Sequence, residues 1–232
     1  MKKFFTLIAI ALCAISANAQ EVVAIDASGS YSDGQTLSTE NCSVTLGNDK
    51  KKWSVKSDAL DPFSAYVSGG NNPKDDNSTA YSPATMNLPT NGCYYVLTPK
   101  ADGTLTVGVV LNADKTFYVA MGDGLAVDNT DLTLVDKSGS TVTLDDDNKV
   151  SDKFYGKVTL AVAKNTSYYV FCNGSKLGFY GYEFTPGGTD GISNVNAAVV
   201  GDNAPMYNLA GQKVGNDFKG IVVKNGKKFV NK

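Results

Sequence analysis

The sequence predicts an all-β protein, an antiparallel β-sandwich or jelly roll followed by a linker and a short C-terminal β-hairpin element. Residues 92–122 hold three runs of β-forming side chains separated by tight polar turns. Within them Leu105, Val107, Val109 and Leu111 alternate with Thr104, Thr106, Gly108 and Val110. That period of two places one set of side chains in a core and the other outside it. No segment longer than a turn carries the i, i+3, i+4, i+7 spacing of an amphipathic helix.

Taken in order, residues 1–19 open with Lys2 and Lys3, continue through an apolar run over 4–15 and end on Ala17-Asn18-Ala19. This is the pattern of a secretory leader with a small-residue cleavage site. The run is shorter than a membrane-spanning helix requires and no later stretch approaches it, so the expectation is an exported, soluble mature chain without a transmembrane segment. Strands are expected at 22–25, 43–47, 52–56 and 63–68, with an oxygen-rich turn over 26–34. Residues 69–91 show hardly any apolar periodicity. Connections of that length inside a compact domain are uncommon unless functional or disordered, which marks this one as a specificity-bearing or mobile loop.

The runs in 92–122 read as three neighbouring strands reversed at Asp102-Gly103 and Asn112-Ala113-Asp114. Further strands follow near 132–135, 140–144, 154–163, 167–173 and 177–184. Leu160 and Val162 would meet the second sheet together with Tyr168, Val170 and Cys172, or alternatively with Tyr169 and Phe171; the spacing leaves that parity open. Tyr180, Tyr182 and Phe184 recur every second residue and read as packing. The predicted sandwich spans residues 20–185, a Gly- and Pro-containing linker 186–203, and a tail 204–232. In the tail Asn225-Gly226 between two apolar runs is a strong hairpin signal, because both positions of a type I′ turn need positive φ.

All 21 basic residues are lysines, and the chain has no arginine and no histidine. Histidine-dependent nucleophile pairs, histidine-ligated zinc and imidazole proton shuttles are therefore excluded. The net charge of −2, about −4 once Lys2 and Lys3 leave, argues against nucleic acid as a partner. After loss of the leader three cysteines remain, Cys42, Cys93 and Cys172, enough for one bridge and one spare thiol. The alternative is that all three are small buried side chains on strands.

Two stretches carry a resemblance. The tail sequence Met206-Tyr207-Asn208-Leu209, then Gly211-Gln212-Lys213-Val214, then Lys219-Gly220-Ile221-Val222-Val223-Lys224-Asn225-Gly226-Lys227-Lys228 resembles the C-terminal sorting tails of secreted Bacteroidetes proteins, associated with type IX export. Residues 92–184 resemble the jelly-roll carbohydrate-binding modules appended to polysaccharide-degrading enzymes of such bacteria. The matching features are Gly92-Cys93-Tyr94-Tyr95, Gly103-Thr104-Leu105-Thr106-Val107 and the closing segment 174–184. The resemblance implies a secreted or surface-delivered protein, a polysaccharide or surface-glycan partner, and contact of the tail with export machinery.

Sugars stack on exposed rings while amides, carboxylates and lysines take their hydroxyls, and the chain supplies twelve Tyr, ten Phe and one Trp. The ligand-binding candidates are Trp53, Tyr66 and Tyr81; for Trp53 the alternative is a core position. Calcium favours carboxylate and carbonyl oxygens, which makes Asp26 with Asp33, or Asp145, Asp146 and Asp147, candidate ligands, although neither run has EF-hand spacing. Glutamate is scarce, with Glu21, Glu40 and Glu183 remaining after the leader. No catalytic constellation emerges from the spacing, so the expectation is a non-catalytic glycan binder. The alternatives are a hydrolase or a lyase using Lys or Tyr as base, and a structural or adhesin-like surface protein.

Overall fold

The computed structural model describes residues 19–187, 206–208, 213–215, 218–224 and 227–231. The leader, most of the linker and the Ala210-Gly211 and Asn225-Gly226 turns lie outside the described residues. The chain divides into two compact units, with the boundary between Gly188 and Thr189.

The described residues of the first unit hold thirteen strands: β1 (Glu21–Ala24), β2 (Thr36–Ser38), β3 (Cys42–Leu46), β4 (Ser54–Leu60), β5 (Phe63–Ser68), β6 (Tyr94–Pro99), β7 (Gly103–Leu111), β8 (Phe117–Met121), β9 (Thr133–Asp136), β10 (Thr141–Val142), β11 (Phe154–Val162), β12 (Tyr168–Cys172) and β13 (Gly178–Pro186). They form two antiparallel sheets. One has the order β10-β9-β11-β7-β13-β5-β4, with β1 also paired to β13; the other is β2-β3-β6-β12-β8. Strand β13 runs through Pro186, one residue beyond the boundary expected from the sequence.

The expected trio of neighbouring strands over 92–122 is corrected. β6 and β8 lie in the five-stranded sheet on either side of β12, whereas β7 lies in the eight-stranded sheet between β11 and β13. Each turn in this stretch therefore crosses from one sheet to the other. Alternation of apolar and polar residues is the same whether the next strand lies beside or opposite, which is why the pattern misassigned the neighbours. Consecutive strands β5, β6, β7, β8 and then β11, β12, β13 alternate between sheets, the winding of a jelly roll.

The layer between the sheets is built from Leu105, Val107, Val109 and Leu111 of β7, Val158 and Leu160 of β11, and Tyr95 and Leu97 of β6, all at most 3 % exposed. The open parity resolves in favour of Tyr168, Val170 and Cys172, which join this core. Phe171 is buried as well, on the opposite face. Tyr180, Tyr182 and Phe184 are packing residues, but not on one face: the register of β13 shifts between Phe179 and Gly181. Phe179, Tyr182 and Phe184 point into the core while Tyr180 joins an outer cluster with Leu60, Phe63, Tyr66 and Val110. Gly181 makes the shift feasible. Its φ is +137°, and an added Cβ would stand 2.0 Å from the Val23 carbonyl oxygen.

The described residues of the second unit form a four-stranded antiparallel sheet, β14 (Met206–Asn208), β15 (Lys213–Val214), β16 (Gly220–Lys224) and β17 (Lys227–Asn231), in the order β15-β14-β16-β17. β16 and β17 pair as the sequence predicted for a hairpin. Val222 is buried, whereas Tyr207 and Ile221 are exposed.

Cys42, Cys93 and Cys172 are free thiols, all buried. The Cys93 thiol accepts from the Gly69 amide and donates to the Leu177 carbonyl, both at 3.2 Å. Burial pushes the thiols of Cys42 and Cys172 from 9.0 up to about 12, and drives Cys93 and the Tyr95 phenol upward in the same sense. In the unfolded chain these groups ionise near their ordinary values, so above pH 9 the unfolded state releases protons that the folded state keeps. Unfolding free energy, followed by urea titration, is expected to fall as pH rises from 9 through 12. Replacing Cys42 and Cys172 by alanine should flatten that fall.

Candidate functional site

The outward residues of the five-stranded sheet are Thr36 and Ser38 on β2, Ser43 and Thr45 on β3, Tyr94, Val96 and Thr98 on β6, Tyr169 and Phe171 on β12, and Tyr118 and Ala120 on β8. None is charged. The hydroxyls pair across strands: Thr36 with Thr45 at 2.9 Å, and Thr98 with Ser167 just before β12 at 3.1 Å. Beside these rows stand Tyr94 and Tyr169, their rings nearly parallel at 17° with centroids 6.0 Å apart and both half-buried. The Tyr94 ring lies over Gly47, where an added Cβ would come within 2.5 Å of two ring carbons. That close approach keeps the ring against the sheet.

One end of this face is roofed by the long 69–91 segment. The Tyr81 ring meets Tyr118 and Phe171 edge-on at 4.9 and 5.2 Å, and its hydroxyl donates to the Gly124 carbonyl at 2.7 Å. Asn173 holds the Tyr81 carbonyl from below at 2.7 Å. The segment is tied to itself: Asp75 accepts from the Asn77 and Thr79 amides and from the Asn87 carboxamide, and Asp76 accepts from the Thr90 hydroxyl at 2.6 Å. It is an organised roof whose ends come close together, the Gly69 amide donating to the Cys93 thiol at 3.2 Å. The Tyr94 hydroxyl donates to the Thr90 carbonyl at 3.2 Å, so the tyrosine strip ends against this wall. On the wall a polar cavity of about 450 Å³ is lined by Lys50, Asn72, Lys74, Asp76 and Asn91, among others.

Burial, the largest influence, lifts the phenols of Tyr94 and Tyr118 above their ordinary 10.0, and the neighbouring Tyr169 phenol adds to the effect on Tyr94. These hydroxyls therefore stay protonated and serve as neutral donors and acceptors. The outward strand residues of this face thus offer ring edges, methyls and hydroxyls, with charged side chains only at its margins, among them Asp76 beside Tyr94 and Asp147 and Lys149 beside Tyr118.

The three aromatic candidates from the sequence do not converge. Trp53 sits at the margin of the core, tilted against Tyr95 at 5.8 Å, with its indole N–H donating to Asp33 at 2.8 Å. Tyr66, 8 % exposed, is enclosed on the outer face of the eight-stranded sheet against Tyr180 at 5.1 Å. Tyr81, 3 % exposed, belongs to the roof. Tyr66 and Tyr81 are thus both buried, each against aromatic neighbours, and stand on different sheets.

The carboxylates proposed for calcium are engaged locally. Asp26 accepts from the amide and hydroxyl of Ser28; Asp33 accepts from the Asp49 and Lys51 amides and from Trp53; Asp145 accepts from the Asp147 and Lys149 amides; Asp147 pairs with Lys149 at 2.7 Å. Asp146 is exposed in the same turn. Among the described residues no group of three His, Cys, Asp or Glu side chains gathers in a way that could hold a metal ion. Glu21 is bound by Asn41, and Glu183 by Lys157 and Gln20.

Sequence reading missed Tyr94, Tyr118 and Tyr169. The signal was the doublets Tyr94-Tyr95 and Tyr168-Tyr169: neighbours on a strand point to opposite faces, so one ring of each pair must emerge. No family model matches the chain, and no curated protein is similar to it in sequence. Among the described residues no helix is long and apolar enough to cross a membrane.

The roof depends on Tyr81 in two separable ways. Tyr81→Phe keeps the ring and loses the bond to Gly124, at an expected cost of about 0.5–1.5 kcal/mol. Tyr81→Ala also removes the ring contacts and is expected to cost about 3–5 kcal/mol. Hydrogen exchange across residues 75–90 should accelerate far more in the alanine variant.

Proposed function

We propose that the protein is a secreted, non-catalytic glycan-binding jelly roll whose tyrosine strip lies along an uncharged polysaccharide chain. The observation that carries this reading is the near-parallel, half-buried pair Tyr94 and Tyr169 on a sheet face whose outward strand residues are all uncharged. Sugar rings would lie along the strip with their apolar C–H faces against the edges of the two stacked phenols. Hydroxyls of Thr45, Thr98 and Ser167 stand beside them to receive and donate hydrogen bonds. The acidic net charge favours neutral polymers over polyuronates, which it would repel.

The expected result in affinity electrophoresis is retardation by neutral polysaccharides such as xylan, mannan or β-glucan and none by alginate or pectate. Tyr94→Ala and Tyr169→Ala should each weaken binding roughly tenfold, about 1.4 kcal/mol. Retention unchanged in the double variant would remove the strip as the site, and release of reducing ends from any polymer would replace the non-catalytic reading with an enzymatic one.

Delivery belongs to the same proposal: export through the leader, and surface placement through contact of the C-terminal unit with export machinery. Removing residues 204–232 is expected to leave the sandwich's melting unchanged while moving the protein from the cell surface to the periplasm in fractionation. A truncated protein found at the surface would overturn the role given to the tail.

A further inference from the structure

The outer face of the eight-stranded sheet is built quite differently. Asp58 lies on β4 at one end of the strand order and Lys137 follows β9 near the other, yet their side chains pair at 2.7 Å. The sheet must therefore curl outward until its opposite margins meet above the middle strands. The second oxygen of Asp58 accepts from the Tyr180 hydroxyl at 2.7 Å, so the floor of the trough braces the clasp. Two register shifts converge here, one in β4 between Ser57 and Leu60 and one in β13 beside Tyr180. Bulges that re-aim side chains in this way are concentrated next to binding and catalytic sites.

Beside the clasp lies a cavity of about 410 Å³. Its apolar part is Ala59, Leu60 and Val135; its polar part is Lys137 and Lys157 with Asp61 and Asp136. Lys137 is held by Asp58, and Lys157 by Glu183 at 2.7 Å. Each ammonium has three N–H groups and spends one on its carboxylate in this way, so both keep donors for a ligand. Asp136 spends one oxygen on the Ser138 and Ser140 turn, leaving the other as an acceptor. The surroundings hold both signs of charge, which disfavours a simple anion or cation and favours a ligand that donates and accepts at several points around an apolar face.

We propose that this cavity is a second carbohydrate site, taking a single pyranose ring as a chain end or branch. The clasp bars a linear chain from running through the trough, in contrast to the open tyrosine strip on the other sheet. The ring's apolar face would rest on Leu60 and Val135, with its hydroxyls shared between the Lys137 and Lys157 ammonium groups and the Asp61 and Asp136 carboxylates. This site stands independently of the tyrosine strip, and either can fail without the other.

The test is an amide-resolved NMR titration of the protein with glucose, galactose, mannose, xylose and arabinose. At least one sugar is expected to bind in the millimolar range, shifting the amides of residues 59–61 and 135–139. Ala59→Phe fills the cavity and should abolish these shifts while leaving retention on polysaccharide gels intact; Tyr94→Ala with Tyr169→Ala should do the reverse. Should Ala59→Phe not fold, the wild-type shift map decides. Absence of binding by every sugar in the panel, shifts confined to the tyrosine strip, or shifts that survive Ala59→Phe would each overturn the proposal.

Discussion

The change of parity at Tyr180 and Gly181 in β13 is the constraint on which both faces of the eight-stranded sheet depend. Without the extra residue, strict alternation would turn either Phe179 or the pair Tyr182 and Phe184 away from the core. With it, all three fill the layer between the sheets. Tyr180 is freed for the outer face, where it supports Asp58. The shift also divides one edge of β13 between two partners: β5 pairs with Gly178 and Phe179, and β1 takes over from Gly181 onward. A substitution at Gly181 would therefore act on the core, the trough and the N-terminal strand together.

The two sheets bury apolar area on both sides, but to different ends. On the five-stranded sheet the roof segment covers Phe171 and Ala120 and stops, leaving a tyrosine pair and rows of hydroxyls uncovered. On the eight-stranded sheet the outer cluster is enclosed by the sheet's own curvature and rimmed by ion pairs. Those ion pairs are partly exposed and contribute little to stability by themselves. Their importance is geometric, since each draws a lysine toward the rim of the trough.

Much of the architecture was legible because alternation in Leu105 to Leu111 and in Leu160 and Val162 reports a half-buried strand whatever its neighbours are. What alternation does not encode is adjacency, so the crossings at Asp102-Gly103 and after Leu111 looked like hairpin turns within one sheet. The bulge was hidden for a related reason: Tyr180, Tyr182 and Phe184 match a period of two on paper, and only the positive φ of Gly181 breaks it. The site was less legible. Tyr81 stood out because it interrupts a polar segment, yet an apolar ring in such a segment is what pins it to the sheet. Tyr94 and Tyr169 were inconspicuous within runs that read as core, although each is the outward member of a doublet. Asp58 and Lys137 are 79 residues apart and signal nothing until the sheet is curled.

The clasp has a bearing on how the molecule behaves in a crowded solution. A sheet of eight strands ordinarily exposes two ribbons of unpaired backbone, and such ribbons recruit other chains into edge-to-edge aggregates. Here the margins bend toward each other, β10 is only two residues long, and β4 is broken by its bulge. Neither rim offers a long straight template. The curvature that shapes the trough thus also turns both margins away from the flat geometry that edge-to-edge pairing requires.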